Sequence, residues 1–367
     1  MKTRFNPLFL LSLWLFCMQA YNQEIQDMPA MFDRVMPELN ARDTGIMKDF
    51  DFFASDDLLQ MTLAFDTREF IKSKFNPEYM DAVLTVKISE TDSITQSIRL
   101  KARGEFRRTY CSFPPIMLKF KESDHDSGRV IQSKGTLKLV THCNATSKFE
   151  NTLLKEYLAY RMFNLVTPYS FRTRLVRVNY KDVNKAERSQ TTYAFLIENE
   201  DQMAARNNAV IIDTKNVTQK HMIPSDMIRI AVYNYMIGNT DWSVPLQHNI
   251  KVLKSLTAPS DLAIPVAYDF DYSGFVDALY AVPHEQLPIK DVAERYYLGV
   301  CDRDEELNNV IDEFNVLQDK FMDTINNFEY LAKNHKKSVE SYIDSFYKTT
   351  GHKNYLITDL NRTCKSF

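Results

Sequence analysis

The stretch Gly135–Val166, GTLKLVTHCNATSKFENTLLKEYLAYRMFNLV, changes its hydrophobic period part-way along. GTLKLV alternates apolar and polar residues and predicts a short strand. From Glu150 the spacing becomes 3.6. Leu153, Leu154, Tyr157, Leu158, Arg161, Met162 and Leu165 then share one broad, mostly apolar helical face. Everything upstream as far as Leu58 has the strand period. LLQMTLAF (Leu58–Phe65) puts Leu59, Met61, Leu63 and Phe65 on one side, AVLTVKIS and ITQSIRLKARG flank the turn ETDS as a hairpin, and PPIMLKFK alternates Ile116, Leu118 and Phe120.

Downstream come two more strand runs, RTRLVRVNY and TTYAFLIEN. SDMIRIAVYNYMIG then reads as a helix capped by Ser225 and stopped by Gly238. Short apolar runs NIKVL and AIPVAYDF follow, then two long amphipathic helices from Glu306 onward whose apolar stripes predict core. The order sheet, helix, sheet, helices predicts an α+β fold of two lobes, a largely antiparallel sheet first and a mainly helical part last. The expected boundaries are a signal peptide at 1–20, a polar leader at 21–57, a sheet-rich part with one helix at 58–200 and a helical part at 201–367.

The signal peptide is read from Lys2 and Arg4, the apolar run Pro7–Cys17 and Ala20 as the cleavage position. It predicts a secreted, periplasmic or envelope protein that is not integral to the membrane once cleaved. An exported chain favours disulfides. Cys111 with Cys143 and Cys301 with Cys364 is the simplest of three possible connectivities for the four cysteines left after cleavage. A net charge of −3 in 367 residues gives no footprint for nucleic acid. With 8 glycines, and neither GxGxxG nor GxxxxGK[ST], the common glycine-rich phosphate cradles are absent.

Three polar groups compete for the chemistry. GNTDWSVPLQHN (Gly238–Asn249) crowds Asn239, Asp241, His248 and Asn249 around one loop. AYDFDYSGF (Ala267–Phe275) delivers Asp269 and Asp271 to one side of a strand end. KARGEFRR supplies Lys101, Arg103, Arg107 and Arg108, with Lys119 and Lys138 on the strands that follow. Each has a plainer reading: Asp241 as a turn residue, Asn249 and His248 as loop hydrogen-bonders, the lysines as solvated strand positions. Together they suit phosphoryl transfer. Carboxylates and an amide oxygen hold a divalent cation, a further carboxylate accepts the proton of the attacking hydroxyl, and a cation balances the phosphates. Asp241, Asn249, Asp269 or Asp271, and Lys138 supply that set. A metal-dependent phosphoesterase would call for tighter metal-ligand clusters than seven scattered histidines provide.

The order of these features resembles the spore-coat protein H (CotH) kinase family, atypical kinases distantly related to protein kinases. The resemblance rests on ARGEFRRTYCSFPPIMLKFK, KGTLKLVTHCNATSKFENTLLKEYLAYRMF, GNTDWSVPLQHN and AYDFDYSGF, and spans about Arg99–Phe275. It implies an atypical kinase-like fold, ATP with Mg²⁺ or Mn²⁺, and a protein substrate offering Ser or Thr hydroxyls. It further implies Asp241 as the catalytic carboxylate and Asn249, Asp269 and Asp271 as metal ligands. Lys138 would meet the nucleotide, with Glu156 or Glu150 as its ion-pair partner, and Arg103 and Lys119 are further nucleotide-binding candidates. TYAFLIE (Thr192–Glu198) occupies the place of a kinase hinge. The alternative is a catalytically inactive member acting as a surface or envelope binding module.

Overall fold

The computed structural model describes residues 50–120, 131, 135–213, 217–257, 260–301 and 303–364. The signal peptide and most of the leader read from the sequence lie outside them. Seven strands close into a barrel in the order β1-β2-β3-β4-β5-β7-β6. They are β1 (Leu59–Phe65), β2 (Met80–Lys87), β3 (Ser93–Ala102), β4 (Ile116–Phe120), β5 (Thr136–Val140), β6 (Thr173–Asp182) and β7 (Gln190–Ile197). All neighbours are antiparallel except β1 and β6, which pair in parallel from Leu59↔Val176 to Phe65↔Asp182. Alternation along each strand sends Leu63, Leu84, Ile98, Leu100, Ile116, Leu118, Leu139, Val178 and Leu196 into the barrel, all fully buried.

Among the described residues eight α-helices accompany the barrel: α1 (Thr67–Lys72), α2 (Glu105–Tyr110), α3 (Ser147–Val166), α4 (Glu200–Arg206), α5 (Pro224–Ile237), α6 (Asp304–Asn326), α7 (Lys333–Thr350) and α8 (Lys353–Thr363). A three-stranded sheet, ordered β10-β9-β8, lies among them, formed by β8 (Ala209–Ile211), β9 (Ile250–Ser255) and β10 (Ile264–Ala267). A second apolar core joins α3, α5, α6 and α7 to this sheet through Leu158, Phe163, Ile228, Tyr233, Phe270, Phe314 and Phe346.

This overturns the expected two-lobed, kinase-like arrangement. The strands of residues 58–140 do not form a sheet lobe of their own. β6 and β7 complete them into a closed mixed barrel, which removes the sheet's free edges. Thr192–Ile197 falls on β7, a barrel strand bonded on both sides, with Glu198 just past its end, and not on a hinge. The chain beyond residue 200 carries its own sheet besides its helices.

Two local readings are corrected as well. α5 starts at Pro224 with Ile223 as its cap residue, because proline's fixed φ suits the first helical position better than serine does at the second. Its stop is as read: Gly238 has φ +66°, a left-handed cap that a side chain there would strain. α3 buries more than one face, since barrel strands cover one side and α5 and α6 the other. Lys155 and Glu156 are buried with the apolar residues, and Lys155 Nζ donates to the Val276 carbonyl at 3.1 Å.

Both disulfides form as the simplest pairing, Cys111–Cys143 and Cys301–Cys364. The first closes a 32-residue separation, for which chain entropy gives about 4 kcal/mol of stabilisation. It also ties the end of α2 to the loop that opens α3, which fixes the two elements that build one wall of the site. Among the described residues no helix is long and apolar enough to cross a membrane.

Candidate functional site

A cleft of about 590 Å³ opens where α2, the loop after α5 and the turn after β10 meet. Arg103, Arg107, Asp241, His248, Asn249, Asp269, Asp271 and Tyr272 line it, together with α2 backbone and Pro115. Four of the residues read from the sequence as catalytic or metal-binding therefore share one cavity, although they come from two separate turns.

The loop after α5 is built outward from its cap. Asn234, fully buried in the last turn of α5, accepts from Asn239 Nδ2 at 2.8 Å, and Asn239 Oδ1 accepts from the Asp241 amide at 3.0 Å. This relay aims the Asp241 carboxylate into the cleft. His248 Nε2 lies 2.8 Å from Asp241 Oδ1, and Asn249 Nδ2 donates to Asp241 Oδ2 at 3.0 Å and to its carbonyl at 2.8 Å. Asn249 takes a left-handed φ of +53°, a conformation asparagine tolerates better than most residues. Because its nitrogen serves Asp241, its amide oxygen is the atom left over for a ligand.

Asp269 and Asp271 follow β10 and do not ride on it. The strand ends at Ala267, and Asp269 sits at φ +63° with its amide donating to the Tyr160 hydroxyl at 2.8 Å. That kink, rather than strand alternation, turns both carboxylates toward α3. There they meet Glu156: one oxygen from each of Glu156, Asp269 and Asp271 lies within 4.8 Å of the others.

The Arg107 guanidinium stands among the three. It donates to Glu156 Oε2 at 2.7 Å and through Nε to Asp271 Oδ2 at 3.0 Å, and its Nη2 is 4.0 Å from Asp269. Tyr280 donates to Asp271 Oδ2 at 2.8 Å. One cation thus faces three carboxylates. Burial pushes the Glu156 carboxyl up to about 8, with Asp271 and Asp269 adding to the rise against the pull of Arg107. Burial and Asp271 push Asp269 up to about 6. Glu156 Oε1 is buried and has no hydrogen-bond partner among the described residues.

The basic residues divide. Arg103 lines the cleft, and its guanidinium makes no hydrogen bond or ion pair among the described residues; burial lowers its pKa, while Asp269 supports its charge. Lys138 projects from β5 on the outer side of the barrel wall, over Tyr268 at 5.3 Å and Phe171 at 6.0 Å. Burial and the nearby Arg103 bring it down to about 8. Its expected partner Glu156 is taken by Arg107, so among the described residues Lys138 is left without a carboxylate in contact. Lys119 does not reach the cleft. It is exposed on β4, over Tyr79 at 5.3 Å beside Lys101 at 4.5 Å. Arg107 and Tyr280 received no role from the sequence, because their partners lie 49, 164 and 9 residues away with no shared spacing.

The raised carboxyl pKa values give a testable pH dependence. Glu156 has an ordinary value of 4.5 and reaches about 8, and Asp269 has 3.8 and reaches about 6. The folded state therefore holds more protons than the unfolded state between those limits, and stability from these groups falls as pH rises through about 6 and about 8. Urea midpoints between pH 5 and pH 8.5, in chelator, should decline more steeply in the wild type than in Glu156→Gln. Parallel profiles would count against this assignment.

No protein-family model and no curated protein matches the chain. What the site can do must be argued from its own chemistry.

Proposed function

We propose that this cleft transfers the terminal phosphoryl group of ATP to a protein Ser or Thr hydroxyl, outside the cytoplasm, with Mg²⁺ or Mn²⁺. The observation that supports it most is the meeting of Asp241, Asn249, Asp269 and Asp271 in one cavity with Arg103 on its wall. Its volume falls in the range of nucleotide-sized pockets, about 300–1,000 Å³. The order of motifs shared with the CotH kinases favours the same chemistry, although their two-lobed fold does not carry over.

The donor set suits a hard divalent cation. Asp269, Asp271, the Asn249 amide oxygen and Glu156 Oε1 are all oxygen ligands, and once Asp269 and Glu156 have lost their protons, through about 6 and about 8, three carboxylates face one guanidinium. Such an ion would supply charge neutralisation at the phosphates. Arg103, whose guanidinium is not spent on an ion pair among the described residues, provides positive charge on the cleft wall for the phosphate chain, while Lys138 lies outside the lining. Asp241 receives the proton of the attacking hydroxyl as its oxygen bonds to the terminal phosphorus and the bond to the departing diphosphate breaks. His248 and Asn249 already orient both Asp241 oxygens, so the base needs no rearrangement to act.

A second reading, an inactive binding module, draws on Arg107, which meets the carboxylate cluster without any ion. Thermal denaturation separates the two. ATP with Mg²⁺ or Mn²⁺ should raise the melting temperature by mass action, about 2.7 kcal/mol at a hundredfold excess over Kd, and Asp269→Asn should remove the metal-dependent part. No shift at millimolar ATP with either metal would leave the binding-module reading in possession.

A further inference from the structure

A second cavity lies elsewhere, at the end of the barrel where α1 meets the loops after β5 and before β7, with a volume of about 790 Å³. Its lining includes Arg68, Lys72 and Arg188 and, among the described residues, no carboxylate. Arg68 and Lys72 are exposed on α1 and make no hydrogen bond or ion pair with the described residues. Arg188 is paired at 3.9 Å with the carboxylate of the buried Asp182. Its oxygens are occupied by the Thr67 amide and hydroxyl and by the amides of Asn184 and Lys185. Asp182 thus partly neutralises Arg188, and the side chains of Arg68 and Lys72 carry the positive charge that no described carboxylate pairs.

The floor is ordered and mixed in character. His142 is buried, stacked on Phe113 with ring centroids 5.1 Å apart, and held through Nδ1 to Thr192 Oγ1 at 3.1 Å and through Nε2 near the Gln190 amide at 3.4 Å. Burial keeps this imidazole neutral, down to about 4. The Cys111–Cys143 disulfide flanks both floor residues, and Ser112 adds a hydroxyl at the rim. Phe113 and Ile71 give the apolar part. Three convergent cations over a rigid aromatic floor describe a pocket for an anion with an organic body.

We propose that this cavity binds a small oxyanionic ligand, its phosphate or carboxylate groups held by Arg68, Lys72 and Arg188 and its body resting on Phe113 and His142. The site is independent of the phosphoryl-transfer reading, since it shares no lining residue with that cleft.

The test uses the full chain with both disulfides intact and isotope-labelled histidine, which makes His142 a local reporter. Inorganic pyrophosphate is titrated as the phosphate probe and citrate as the carboxylate probe. Saturable movement of the His142 ring signals is expected with at least one probe, and which one responds identifies the oxyanion. Arg68→Gln/Lys72→Gln should weaken that affinity at least tenfold. Lys101→Gln/Lys119→Gln removes two cations around Tyr79, one half-buried and one exposed, and should leave it within twofold. Unmoved His142 signals at millimolar levels of both probes overturn the proposal. Equal weakening by the two double variants also overturns it, because general charge attraction would then be the whole effect.

Discussion

Asp241→Asn should lower phosphoryl transfer to a serine- and threonine-rich protein substrate by about 10²–10⁴-fold, the usual contribution of a positioned general base. The folded protein should barely notice. Asparagine keeps an oxygen toward His248 Nε2 or Asn249 Nδ2, and the Asn239 contact to the residue-241 amide is a backbone contact that survives. The melting temperature should stay within a few degrees of wild type, and ATP with metal should still stabilise the variant, since Asp269, Asp271, Asn249 and Arg103 are untouched. Transfer of labelled terminal phosphate, measured beside nucleotide-dependent stabilisation, gives both halves of the result. A variant that binds the nucleotide and transfers as fast as wild type would remove Asp241 from the reaction. One that no longer binds would make it a structural residue of the loop.

The pattern of what the sequence revealed follows the range of the interactions. The β2–β3 hairpin, β4, β5 and the Gly238 stop were legible because alternation and a left-handed cap are local. Barrel closure was not. It depends on β1 pairing with β6 more than a hundred residues away, and period two is the same whether a strand ends a sheet or completes a barrel. The amphipathic reading of α3 failed for a similar cause: a helix covered on both sides buries Lys155 and Glu156 through partners contributed by distant turns. At the candidate site, residue type singled out Asp241, Asn249, Asp269 and Asp271, whose short polar side chains stand out against apolar surroundings and which the fold brings to one cleft. It was a poor guide among the cations. Six lysines and arginines stood in the basic segment and the two strands after it, and only the fold separates Arg107 at the carboxylates from Lys119 on the outer wall.

Arg107→Ala should be the most destabilising single change in the cleft. It removes the one guanidinium that faces Glu156, Asp269 and Asp271 and leaves the nearly dry Glu156 and Asp271 carboxylates uncompensated, a loss of about 3–5 kcal/mol for breaking a buried pair. The sign of its pH dependence follows from the same charges. Protons can replace the missing cation, so the deficit should be largest above about pH 8 and shrink toward pH 5 as Glu156 and Asp269 become neutral. Glu156→Gln in the same background should recover part of the loss at pH 8, because it deletes one of the stranded charges while keeping the volume. The double variant should therefore depart from additivity by an amount typical of contacting residues, about 0.5–3 kcal/mol. Urea unfolding of the four proteins, in chelator and then with excess Mg²⁺ or Mn²⁺, measures each term. If the cation site is real, either metal should stabilise Arg107→Ala more than wild type, since the cluster then has no internal cation to satisfy it. A loss below about 1 kcal/mol, the centre of the range for ordinary substitutions, would mean that the carboxylates are already neutral without Arg107 and would sink the charge argument for the site.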